Sequence, residues 1–294
     1  MSKISDFVQK YVTTDQELRK TFYHYTNLTA LESILRKKSI WLSDSAFQND
    51  AVEFKHGFEI AMRIMRGMAE QTDGNPAWKE NINKFFNYLS DGKNMPRVFI
   101  FSLTQKRDVL PHWSRYATSS QGICLGVNLY AFLRTQVGAP MPWLPYKIIY
   151  DRDLQEKSFT DSFTTIQECF TENPSGDEKF LNNLLSETIV ALTYLCSSFK
   201  NDHFSDESET RLILASVIND PKLKEAVDFH FRRELMIPHI ATSIANNNVP
   251  LSEIFPEILV PINSDLNRES LRVLCLKYGI SQEAIKISDV PLRS

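Results

Sequence analysis

The sequence predicts an α+β chain: many short strands, several amphipathic helices and no glycine-rich phosphate loop. Three observations carry this. The chain has 294 residues, 43% of them hydrophobic, enough to bury a large core. The continuous apolar runs "RVFIFSL" (97–103), "GICLGV" (122–127) and "TRLILA" (210–215) read as buried strands. Longer 3.6-period patterns over 53–69, over 78–89 and twice between 152 and 199 read as helices. We read 1–294 as a single domain with 152–199 as a helical insertion.

In chain order, residues 3–20 read as one or two short helices and Phe22 to Tyr25 as a strand. Thr29, three before Glu32, has the spacing of a capping box, and Leu28, Leu31, Ile34 and Leu35 make the apolar stripe of the helix that follows. Ser39 to Leu42 is a strand, and "SDSAFQND" (43–50) a polar loop. The break "DGNP" (73–76) separates the next two helices, which pack outside a sheet. Leu110 to Ala117 is a short helix with Pro111 in its first turn. The connection "GAPMPWLP" (138–145) leads to a strand over Tyr146 to Tyr150. Ala226 to Ile240 holds two strands around Arg232 and Arg233, and "EILVPI" (257–262) another. The helix from Glu269 to Tyr278 stops at Gly279, and Ala284 to Ser288 is the last strand.

The charge balance, 33 basic against 36 acidic side chains, leaves a net charge of -3 and no global field for nucleic acid or anionic lipid. The four cysteines, Cys124, Cys169, Cys196 and Cys275, lack metal-ligand spacing and read as reduced core residues. With no signal-peptide pattern and no apolar run of about 18 residues, the chain reads as cytosolic, with no membrane partner.

Three clusters place polar side chains where folding alone does not need them. The first is His24-Tyr25-Thr26 at a strand end. The second, "SLTQKRDVLPHWSRY" (102–116), runs from Ser102 to a helix with Trp113 and Tyr116 on one face. The third is Glu207-Ser208-Glu209-Thr210-Arg211, whose charged side chains share one face if the run is a strand. Each also has a plain structural account. His24 can be a histidine bonded to backbone, Trp113 and Tyr116 packing residues, and the Glu-x-Glu-x-Arg run a solvated face with an ion-pair ladder. Asn49-Asp50 with Glu53 forms a fourth grouping, either a helix cap or part of a site.

"FYHYT", "LESIL", "IWLS", "FSL", "GICLGV", "ESETRLI" and "IKISDVPLR" together resemble an uncharacterised bacterial family known by its H-Y-T start. That family is similar to ADP-ribosyltransferases, including toxin and anti-phage enzymes. The resemblance implies a split, curved, mixed β-sheet that binds NAD as substrate in a cleft. It gives His24, flanked by Tyr25 and Thr26, a ribose hydroxyl, and offers Trp41, Trp113 and Tyr116 for the nicotinamide ring. Ser102 would stand beside that ring. Glu209 would take the 2'-hydroxyl of the nicotinamide ribose, Glu207 would activate the acceptor, and Arg211 would orient Glu209 or serve only the structure. Arg36, Lys37, Lys38, Arg107 and Arg115 are the cations near these motifs for the pyrophosphate.

The chemistry expected is the release of nicotinamide through an oxocarbenium-like centre that a fixed carboxylate stabilises. Paired glutamates would raise one pKa unless a cation offsets their repulsion. The acceptor is a protein, RNA or DNA, and an antitoxin or chaperone is an expected partner. A non-catalytic nucleotide-sensing or interaction module on the same fold is the alternative. A hydrolase built on His112 or His203 lacks a nucleophile signature.

Overall fold

The computed structural model describes residues 10–291 apart from 48–51, most of 72–95, 118–120, 173–177, 218–219, 263–264, Pro140, Pro142, Arg233 and Asn247. The Asn49-Asp50 turn, most of the helix expected over 78–89 and the start of the N-terminal helices lie outside the described residues.

Ten strands form one open mixed sheet. They are β1 (Thr21–Asn27), β2 (Ser39–Asp44), β3 (Pro96–Thr104), β4 (Gly122–Asn128), β5 (Leu144–Lys147), β6 (Glu209–Val217), β7 (Val227–Arg232), β8 (Leu235–Ser243), β9 (Glu257–Val260) and β10 (Ile285–Ile287). The helices used below are α1 (Asp15–Leu18), α2 (Leu28–Lys37), α3 (Val52–Gln71), α4 (Leu110–Tyr116), α5 (Leu129–Arg134), α6 (Arg152–Glu172) and α7 (Glu178–Ser197). The α+β class expected from the sequence is the class observed, and the pair of long helices within 152–199 is present. No helix among the described residues is long and apolar enough to cross a membrane. All four cysteines are free, and Cys124, Cys196 and Cys275 are buried.

Two local expectations are corrected. Asn27, not Thr29, caps α2: its side chain accepts from the Ala30 amide at 2.9 Å. An Asn already in extended backbone at the strand end meets the first orphan N–H groups, and the helix begins before Thr29 can serve. The strand expected over 146–150 begins earlier, at Leu144, because β5 pairs with β6 through Lys147 only. Ile149 instead bridges to Phe199.

β3 organises the sheet. β6 covers one edge of it along the whole strand, from Pro96 with Val217 to Thr104 with Glu209. The other edge is shared: β2 pairs at Phe99 and Ile100, while β1 pairs at Thr104 through Tyr23. Between these contacts the sheet splits. Both faces of β3 and β6 are otherwise buried: Phe99, Phe101, Leu103, Leu212 and Leu214 join one apolar cluster, while Val98, Ile100 and Ile213 join a second with α3, α6 and α7. Burial on both faces is why these strands are apolar without alternation.

Candidate functional site

A cavity of about 520 Å³ opens at the split. Ile100, Phe101, Ser102, Leu103 and Thr104 all line it. Consecutive strand residues point to opposite faces, so five in a row place the cavity on the strand's uncovered edge. α2, which connects β1 to β2, contributes Ala30, Ser33 and Ile34.

His24 fills part of the gap. Its Nδ1 lies 2.9 Å from the Ser102 carbonyl, which makes Nδ1–H the donor and leaves Nε2 as the free ring nitrogen. Its ring stacks on Phe101 at 4.3 Å. Burial pushes its pKa down, partly opposed by the Ser102 bond, so the ring is neutral near pH 7. The structural account of His24, a backbone bond, therefore holds together with its place in the cavity wall.

Glu209 begins β6 and is buried. Arg211 grips it with two bonds, Nε to Oε1 at 2.8 Å and Nη2 to Oε2 at 2.9 Å, while Arg211 Nη1 donates to the Ser197 carbonyl. Lys200 Nζ reaches Glu209 Oε2 at 3.1 Å and Glu207 Oε2 at 2.7 Å. Burial works against ionisation of Glu209. Arg211, Lys200 and Ser102 together outweigh it and hold the carboxyl down at about 2.

Glu207 does not belong to the strand. It ends a 3-10 turn (Asp202–Glu207), and Ser208 then takes a left-handed conformation, φ 45°, before β6 starts. Its carboxylate returns to the cluster all the same, accepting from Tyr116 at 2.7 Å and from Arg115 at 3.1 Å. The repulsion expected between the glutamates is offset by Lys200 between them. The solvated ion-pair ladder is excluded, because Glu207, Glu209 and Arg211 are all buried.

Seven of the ten residues expected at the site line the cavity with clear side-chain roles: His24, Trp41, Ser102, Tyr116, Glu207, Glu209 and Arg211. Tyr25 lines it too, but its hydroxyl is spent on the 106–109 loop, donating to the Lys106 and Arg107 carbonyls and accepting from the Val109 amide. Thr26 does not line it. Trp113 is fully buried, its indole donating to Asp108 at 2.6 Å, so it supports the site rather than holding a ring. Asp108 also accepts from Ser288 and the Asp289 amide, tying the C-terminal segment to this loop.

Sequence reasoning missed Lys200, His230 and His239. It named His112 only for a hydrolase. His112 is buried in the cavity wall, with Nε2 3.3 Å from the Glu207 carbonyl and Nδ1 without a partner among the described residues. Of the cations expected for a pyrophosphate, Arg36 is paired with Glu32, Arg107 with Glu257 and Arg115 with Glu207. Lys37 lies over the Trp41 ring at 4.6 Å. No group of three or more potential metal ligands occurs among the described residues.

Fold and site thus define a mixed α+β protein with a buried ionic cluster at one side of a split-sheet cavity. Residues 112–212 match a family model described as "Protein of unknown function (DUF2971)". That stretch includes His112, Tyr116, Lys200, Glu207, Glu209 and Arg211; His24, Trp41 and Ser102 precede it. No curated protein and no solved structure matches the chain.

Proposed function

We propose that the protein is an NAD-dependent ADP-ribosyltransferase acting on a macromolecular acceptor. The observation that carries this reading is that His24 and Glu209, expected at one site from distant segments, both line one cavity. Its volume lies within the roughly 300–1,000 Å³ common for small-molecule sites. The bond between nicotinamide and ribose breaks, its electron pair leaves with nicotinamide, and the ribose carbon gains positive charge. Glu209, fully ionised at neutral pH, stabilises that charge in a water-poor setting. An acceptor nucleophile then bonds to the ribose carbon, and Glu207 is the group assigned to take its proton. A toxin or anti-phage setting, with an antitoxin or chaperone partner, extends the same reading. NAD labelled in the adenylate, added to lysate with the protein, should label one class among protein, RNA and DNA. Absence of label from all three counts against transfer.

A second reading has an observation of its own. Arg211, Lys200 and Ser102 between them occupy the acceptor capacity of the Glu209 carboxylate. A substrate hydroxyl would have to displace Ser102 or Lys200. A nucleotide-sensing module that binds without turnover needs no such exchange. Thermal stabilisation by NAD without nicotinamide release would select it.

A further inference from the structure

The cavity wall built by β2, β8 and β7 carries rings and cations that the carboxylate chemistry leaves unused. The Trp41 ring lies 4.2 Å from His239 and 4.9 Å from His230. The two imidazoles meet Nδ1 to Nδ1 at 3.2 Å. Such a contact is a hydrogen bond only if one Nδ1 is protonated and the other is not. The pair can take one further proton, at Nε2 of the donor ring, and keep this bond. A second would set two N–H groups against each other.

Trp41, His230 and Arg232 line the cavity, while His239 is buried behind them. Arg232 is exposed, and no carboxylate pairs with it among the described residues. Lys37, at the end of α2, contacts the Trp41 ring and likewise has no acidic partner among them. The groups acting on the imidazoles are Arg232 and Asp228 from β7 and Lys37 from α2. β2 and β8 bring the uncharged Trp41, Ser43 and Ile237. Burial does most to keep both rings neutral; Arg232 adds to it at His230 and Lys37 at His239, and Asp228 opposes it at His239. The Asp228 carboxylate is partly engaged by the Phe229 amide at 2.8 Å. Two cations without acidic partners among the described residues, against the single partly engaged Asp228 carboxylate, leave this corner beside the neutral imidazole pair with a net positive potential.

We propose that this corner is an anion subsite that holds a phosphate group between Arg232 and His230, with uptake of one proton by the His230–His239 pair. An arginine fork and an imidazolium both match phosphate oxygens, and charge assistance strengthens each bond. The sign of the pH dependence follows from linkage. A bound anion favours the charged imidazole, so binding raises its pKa and affinity grows as pH falls. Between the free and the bound pKa the change is up to about tenfold per pH unit. The subsite stands on anion binding alone and does not depend on nicotinamide release.

The test is imidazole titration by NMR between about pH 5 and 8, in sulfate and in chloride at equal ionic strength. Sulfate imitates a phosphate dianion without titrating in this range. In the wild-type protein, sulfate should raise the His230 midpoint, with His230→Gln identifying the resonance. Arg232→Gln should lose that rise while its unfolding transition stays in place. In His230→Gln, sulfate affinity should lose its pH dependence. Midpoints that ignore sulfate, or that rise equally in Arg232→Gln, would overturn the subsite. Either result leaves nicotinamide release free to succeed or fail on its own.

Discussion

The two ends of the cavity sit on one face of the same sheet and handle charge in opposite ways. Register links them: Ser102 faces Arg211, Ile100 faces Ser43, and Ser43 faces His239. At the glutamate end, Lys200, Glu207, Glu209 and Arg211 are buried and interlocked. At the histidine end, Arg232 and Lys37 lack acidic partners among the described residues, and the imidazoles contact each other and Trp41, with Asp228 as the nearby carboxylate. A closed network is preorganised, and its charges are poised for a transition state or for fold specificity. An open cationic corner is completed only by a ligand. Closure of charge, more than the number of charged residues, distinguishes a scaffolded group from a binding one.

The largest effect should come from opening the closed end. Lys200→Met would leave two buried carboxylates facing each other and should cost about 3–5 kcal/mol, read by denaturant unfolding. A loss below about 1 kcal/mol would show the network to be unimportant for stability. Acid should open it more gently. The Glu209 carboxyl is depressed from its ordinary 4.5 to about 2 in the fold. Its stabilisation is therefore complete above the ordinary value and is lost as pH falls from there toward 2, on the order of 3 kcal/mol in all. Glu209→Gln should flatten that part of the stability profile. Asp108→Ala, which strands the Trp113 indole and the Asp289 amide, should cost about 1–3 kcal/mol and loosen the C-terminal segment to proteolysis. Ser208→Gly, at the left-handed turn between the glutamates, should stabilise by about 1 kcal/mol. Arg232→Gln should leave stability within about 0.5 kcal/mol, because it removes no partner from the fold.

Much of the scaffold was legible in the sequence because burial on both strand faces writes itself as continuous apolar runs. "VFIFSL" and "RLILA" became the central pair β3 and β6, and "GICLGV" became β4. His24, Ser102, Glu209 and Arg211 were legible because each interrupts or borders such a run with a polar group. Lys200 was not. It follows the apolar end of α7 in "LCSSFK" and is carried to the glutamates by the Ile149–Phe199 bridge and by Gln155, whose amide holds the Lys200 carbonyl. None of these contacts has a local signature. The His230–His239 pair is equally silent, since it depends on hairpin register, which places His230 opposite Ile237. Trp113 misled for the converse reason: helical spacing from Tyr116 suggests a shared face, whereas Asp108 draws its indole inward. Asn27 outcompeted Thr29 as the cap because the strand's last residue already had cap geometry.

We propose Glu209 for cleavage of NAD rather than for the fold alone. Nicotinamide released from NAD should be measured for the wild-type protein and for Glu209→Gln, both verified as folded. The wild-type protein should release nicotinamide, and the variant should lose about a hundredfold or more of that rate. Equal release by the two proteins, or none from a wild-type protein that NAD stabilises, would contradict it.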